Sequence, residues 1–205
     1  MTTLLRIDSS SRSAGSHSRD LGDTLEAQWL GRHPGSAVVR RDLAADPVRH
    51  ITNLTIAGFY TPVEKHSPEI QRDIALSDLL IAELTAADAL LVTAPMYNFS
   101  IPSALKAWID HIVRINHTFS FDGTAFTGLV TGKPAYVVCA YGATGYNEGP
   151  LAAYDLLKSY LNLLFRFLGF TDVSFVAVEA TTADAQTVAQ NLAGARRLAT
   201  STIAA

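Results

Sequence analysis

The chain carries a single cysteine, Cys139, among its 205 residues, so no disulfide can close within it and no cysteine-based metal cluster can assemble. Charge is also scarce. Charged residues make up 17% of the sequence, sixteen basic against nineteen acidic, for a net charge of −3. Lys and Arg do not cluster and no acidic tail is present, which excludes the footprint of a nucleic-acid-binding protein. Long apolar runs are missing too. The longest uncharged stretch, Ala89 to Leu105, is broken by Pro95, Asn98, Ser100 and Pro102, so no membrane span is expected. The opening MTTLLRID reaches charge too soon for a signal peptide, and a reducing, cytoplasmic setting is the expectation. Internal repeats, low-complexity tracts and linkers are absent from the sequence.

What is present is apolar surface. Hydrophobic residues reach 48% and the mean hydropathy is +0.18, ample for one packed core over residues 1–205. Strand-like and helix-like patterns alternate along it. Leu4 to Ile7, Ala37 to Leu43, Ala89 to Ala94, Ala135 to Ala140 and Val173 to Val178 read as strands. Helical periodicity runs from Ser16 to about Arg32 through Leu21, Leu25 and Trp29, and onward from Pro68 and from Pro102. It returns from Pro150 to Leu168 with Tyr154 facing inward, and again after a capping Thr182. Ala44 to Ser67 reads as a long connection, and Phe119 to Gly132 as a hairpin-like stretch. Five strands separated by helices predict a doubly wound α/β sheet of five parallel strands, order 2-1-3-4-5. In that topology ligands bind beyond the carboxyl ends of strands 1 and 3, where the winding reverses.

Two loops are thereby singled out. The first, Asp8 to Ser18, holds six serines in eleven residues and ends where a helix begins. Hydroxyls, free backbone N–H groups and a helix N-terminus together suit a phosphate. The spacing matches neither G-x-x-x-x-G-K-[ST] nor G-x-G-x-x-G, so a monophosphate fits better than a nucleoside triphosphate or a dinucleotide. The second, Ala94 to Pro102, combines Met96, Tyr97, Asn98 and Phe99 between stiffening prolines. Its aromatic and thioether surface suits the face of a flat heteroaromatic ring, and its amide and main-chain N–H groups suit the ring's polar edge. Ring and monophosphate at adjacent strand ends point to flavin mononucleotide (FMN).

The sequence also resembles the FMN-dependent NADH-azoreductase and NADH:quinone oxidoreductase family of flavodoxin-like NAD(P)H dehydrogenases. The resemblance spans nearly the whole chain. It rests on Ser9-Ser10 with Ser16-His17-Ser18, Arg41-Asp42-Leu43, Ala75 to Asp78, Ala94-Pro95-Met96-Tyr97-Asn98-Phe99, Leu105-Lys106, Gly128 to Lys133 and Phe167-Leu168-Gly169. It implies a flavodoxin-like fold, FMN as cofactor, NADH or NADPH as donor, and a homodimer with a shared active site. By the same resemblance Ser10, Ser16, His17 and Ser18 would hold the phosphate, and Met96 to Phe99 would line the isoalloxazine. A third flavin loop falls at Ala140-Tyr141-Gly142-Ala143, where the family often has Ser-Arg-Gly-Gly. Its backbone N–H groups remain available to the ring's pyrimidine edge, while Phe119 and Tyr141 would wall the substrate pocket.

The implied reaction is two-electron transfer from NAD(P)H to quinones or related conjugated acceptors, with azo compounds as a further acceptor class. Two other readings stand beside it. A flavodoxin-like electron carrier would normally be far more acidic. The departure at Ala140 to Ala143 leaves room for a specialised flavoenzyme acting on a biosynthetic aromatic intermediate. Since the cofactor would carry the chemistry, no side chain is assigned a catalytic role. The six histidines form no metal-ligand spacing, and His111 reads as a surface or boundary residue. Cys139, at a strand end, reads as a small core residue. Ala94-Pro95 stands where a phosphoacceptor receiver would carry Asp, and no G-x-S-x-G elbow occurs.

Overall fold

A computed structural model describes residues 2–203. In chain order the first half contains β1 (Thr3–Asp8), α1 (His17–Arg32), β2 (Ala37–Asp42), α2 (Asn53–Tyr60), α3 (Pro68–Ala86), β3 (Ala89–Pro95) and α4 (Ser103–Ile112). The second half contains β4 (Phe119–Phe121), β5 (Phe126–Gly128), β6 (Ala135–Ala140), α5 (Leu156–Leu168), β7 (Val173–Val178) and α6 (Ala185–Thr202). Five strands pair in parallel in the order β2-β1-β3-β6-β7, which is the expected 2-1-3-4-5 once the small antiparallel hairpin β4–β5 is set aside.

Both faces of the sheet are covered, as a parallel sheet requires. On one face Leu5, Ile7, Leu90 and Val92 pack against Leu80 and Leu84 of α3, Trp108 of α4 and Leu161 and Phe165 of α5. On the other, Leu4 and Leu91 meet Leu21, Leu25 and Trp29 of α1 and Leu192 and Ala199 of α6. Each fully buried Leu contributes about 1.5–3 kcal/mol of transfer free energy. Helix α1 lies unusually close to the sheet at Gly22, where a Cβ would sit 2.5 Å from Thr93 Cγ2 and 3.1 Å from Arg6 Nη2.

Outside the site, the structure differs from the sequence reading at four places. The stretch Ala44–Ser67 contains α2, started by a capping box in which Thr52 and Thr55 each bond the other's backbone N–H. The helix expected from Pro150 begins later. Ala152–Tyr154 form a single 3-10 turn, Asp155 caps α5 by accepting from Leu157 N and Lys158 N, and Tyr154 is exposed. Helix α6 is capped by Asp184, not Thr182. His111 is buried, not at a boundary: its Nε2 lies 2.9 Å from Arg49 O and burial lowers its pKa.

Candidate functional site

At the carboxyl end of the sheet β1 turns toward β2 while β3 turns toward β6, and the gap between them opens a cleft of about 570 Å3. One wall is the loop after β1. Ser9 anchors it, its N and Oγ both donating to Thr93 O at 3.1 and 2.7 Å. Gly15, at φ +65°, turns the chain into α1 in a conformation L side chains rarely adopt. Ser16 then caps the helix, accepting from Arg19 N, and its Oγ lies 3.2 Å from Ser18 Oγ. Ser10, Ser16, His17 and Ser18 all line the cleft, with Ser10 and Ser18 only 2% and 1% exposed. The first N–H groups of a helix have no intrahelical acceptor, so this wall gathers hydroxyls and free donors at the positive end of α1.

The opposite wall follows β3. Met96 N donates to Ala140 O at 2.9 Å, fixing the strand's exit. Tyr97 and Ser100 then exchange two backbone hydrogen bonds around Asn98 and Phe99, at φ +48° and +71°. Two successive left-handed residues make a tight turn of the primed kind, a conformation Asn tolerates and Phe does not favour. Pro95, Met96 and Tyr97 line the cleft. Asn98 does not; it lines a neighbouring cavity of about 530 Å3 on the other side of Tyr97, with His50, Lys106 and Tyr160. Phe99 lines neither cavity and lies against Tyr154, ring centroids 5.8 Å apart.

Tyr97 joins the two walls. Its hydroxyl accepts from Ser11 N at 3.2 Å and lies 2.8 Å from Ser11 Oγ. Burial raises the Tyr97 pKa, but hydrogen bonds to Ser11 and Ser10 and the charge of Arg12 outweigh it and leave the phenol below its ordinary value.

The loop after β6 closes the end of the cleft through Ala140 and Gly142. Tyr141 corrects the sequence reading: its ring is fully buried, stacks on Tyr146 at 5.6 Å, and its hydroxyl donates to Asp155 Oδ2 at 2.8 Å. The side chain alternates away from the cleft into the core, so it offers the cleft no aromatic face, and burial first of all pushes its pKa up. Ala143 is exposed and outside the cleft. Phe119 likewise does not line it; on β4 it packs against Phe167 and Phe126, centroids 4.9 and 5.9 Å apart.

Two lining residues lie outside the loops that the sequence reading singled out. Thr181 and Thr182 follow β7, and their hydroxyls donate to Tyr141 O and Gly142 O, each at 2.9 Å. They pin the third loop from behind. A strand-end rule extended to the fifth strand would have marked them; the capping pattern drew Thr182 to α6 instead. Among the described residues no group of three or more His, Cys, Asp or Glu is placed to hold a metal, and no helix is long and apolar enough to cross a membrane.

Fold and cleft together define a flavodoxin-like α/β protein with a hydroxyl-rich wall at a helix N-terminus facing an aromatic one. The family model described as flavodoxin-like fold matches residues 2–201. An FMN-dependent NADH:quinone oxidoreductase of Xanthobacter autotrophicus is 60% identical over 174 residues, 84% of each chain. A protein of the same name from Nostoc punctiforme is 44% identical over 197 residues, 96% of this chain and 95% of its own. The chain belongs to this flavodoxin-like family of FMN-dependent NADH:quinone oxidoreductases. In fold it is similar to an azoreductase from Bacillus anthracis str. Sterne, with TM-score 0.90, 23% identity and 99% of both chains covered. It is also similar to an FMN-dependent NADH-azoreductase from Bacillus anthracis str. Ames Ancestor in complex with FMN, with TM-score 0.85 and 22% identity over 97% and 98% of the two chains.

Proposed function

We propose that this protein is an FMN-dependent NAD(P)H oxidoreductase that reduces quinones and related conjugated acceptors, azo compounds among them, with residues 1–205 forming one FMN-binding domain. The observation that carries the reading is the pairing of buried Ser16 and Ser18 at the start of α1 with Met96 and Tyr97 across a single cleft. The residues present fit FMN. Neutral hydroxyls and helix N–H groups suit one phosphate, and the volume of about 570 Å3 lies within the range of small-molecule sites.

Ser10, Ser16, His17 and Ser18 hold the phosphate in this reading, and Met96 and Tyr97 lie along the ring. Asn98 reaches the ring's edge from the neighbouring cavity, where its amide offers both donors and an acceptor. Phe99, beside it in the turn, covers the outer side of the ring-binding wall. The backbone of Ala140 to Ala143 serves the pyrimidine edge, held in place by Thr181 and Thr182 from behind and by the buried Tyr141 side chain. When bound, FMN supplies hydride chemistry, taking two electrons from NADH or NADPH and passing them to the acceptor.

The working unit in this reading is a homodimer in the cytoplasm. Leu156, Tyr160, Leu163 and Phe167 recur along one face of α5 at helical spacing, and Leu163 is 69% exposed. That stripe continues at one end into Phe99 and Tyr154 and at the other into Phe119 and Phe126. A second subunit on this face would bring Phe119 to a shared substrate slot and exclude water from it.

Spectra and turnover test the proposal. The protein is expected to take up FMN in preference to FAD or riboflavin, and to oxidise NADH continuously with a soluble benzoquinone and no second protein. Failure to take up FMN would overturn it; oxidation that requires a redox protein would favour the electron carrier.

A further inference from the structure

We propose that Arg19, clamped by Asp42, is a positioning residue for the phosphate end of the cleft, fixing the Ser10–Ser11 peptide that joins the anion-binding wall to Tyr97. The proposal rests on the FMN reading of the cleft and deepens it.

Arg19 stands in the first turn of α1, where a cation opposes the helix macrodipole. Its partners account for it. Nη1 and Nη2 donate to Asp42 Oδ2 and Oδ1 at 2.6 and 2.7 Å, a bidentate pair at the end of β2. Nη2 also donates to Ser10 O at 2.8 Å, so one planar fork grips a carboxylate and the back of the serine loop together.

The grip is itself anchored at both ends. Asp42 Oδ1 accepts from Ala44 N and Ala45 N at 3.0 and 3.3 Å. Arg19 O accepts from Arg6 Nη2 at 3.2 Å. Arg6 is buried on β1, where Asp8 and Glu26 hold it at 3.0 and 3.1 Å and Asp23 at 2.6 Å. Asp8 in turn accepts from Thr93 Oγ1 at 2.7 Å.

The consequence lies in a single peptide unit. The Ser10 carbonyl and the Ser11 N–H belong to one plane and point in opposite directions. Arg19 takes the carbonyl, and Tyr97 Oη accepts from the N–H at 3.2 Å. Released from Arg19, the unit is held only by its Ser11 N–H on Tyr97 and can turn to bring a carbonyl dipole toward the phosphate. The clamp therefore acts first on the phosphate, which meets the serine loop directly, and on the ring only through the Ser11–Tyr97 contact.

Flavin fluorescence titration of the full chain with FMN and with riboflavin tests this, using wild type, Arg19→Lys and Asp42→Asn. Riboflavin has the same ring and no phosphate. Arg19→Lys keeps the charge and the helix but cannot make the planar fork, so it is the deciding variant; circular dichroism checks the fold of each. The expected result is FMN binding weakened about 10-fold or more with riboflavin binding little changed, so that the preference for FMN falls by the same factor. Equal weakening of both ligands, or an unchanged preference in Arg19→Lys, would overturn the proposal while leaving the FMN reading intact. Absence of FMN binding by the wild type would remove both.

Discussion

Ser16 and Ser18 sit with their hydroxyl oxygens 3.2 Å apart at the start of α1, so a charge placed there meets whatever the cleft holds. Ser16→Glu combined with Ser18→Glu sets two carboxylates against a phosphate and removes two hydroxyl donors. FMN affinity is expected to fall by about 100-fold or more, given ~1.5–3 kcal/mol for each hydrogen bond to a charged group. Fluorescence titration reads this, and unchanged affinity would remove the phosphate from this wall. The Asp42 clamp behind the wall is insensitive to ordinary pH. The Arg19 hydrogen bond, ahead of smaller backbone contributions, holds the carboxyl at about 2. A depressed folded pKa means that its stabilisation is complete above the unfolded value near 3.8 and is lost only as pH falls toward 2. At this scale the sequence was partly readable. The serines and Met96-Tyr97 were found because a topological rule pointed to their loops. The direction of Tyr141 was not, because the residue after a strand's last ladder position can turn to either face, and its tie to Asp155 is purely tertiary.

Helices and strands were legible wherever period and length agreed, as in α1, α3 and the five sheet strands. Helix α2 was hidden by its eight-residue length, an internal Gly58 and a cap made by two threonines in place of the usual Thr/Glu pattern. Gly58 is there for packing, since a Cβ would run into Ile74 of α3. The start of α5 was misplaced because Pro150 is the stronger sequence signal, whereas Asp155 holds the actual cap. Asp155 has a second task, accepting the buried Tyr141 hydroxyl. Asp155→Ala is therefore expected to cost about 1 kcal/mol for the cap and a further ~1–3 kcal/mol for the stranded phenol. Asp155→Asn, which keeps an acceptor, is expected to recover part of that. Denaturant unfolding of both variants measures it, and a loss limited to the cap alone would show that the Tyr141 hydroxyl finds another partner.

For the whole molecule, the apolar stripe on α5 sets the prediction. Leu163→Asp places a charge at the middle of the exposed face, outside the cleft's own lining. Light scattering is expected to show a dimer for the wild type and a monomer for this variant, with quinone reduction lost alongside. One slot serving donor and acceptor in turn also requires parallel double-reciprocal lines; intersecting lines would mean two separate pockets. A fully active monomer would refute the shared site. The sheet's charge network has a further bearing, on how the chain reaches this state. Arg6 is 4% exposed on an inner strand, and a guanidinium leaves water only when its carboxylates come with it. Those carboxylates belong to β1 and α1, and Glu26 is held in turn by Arg40 of β2. The network thus favours residues 3–42 closing together rather than strand by strand. Their amide protons are expected to exchange with deuterium as a single block sharing one opening free energy, whereas separate exchange of β2 would show that Arg6 is desolvated without it.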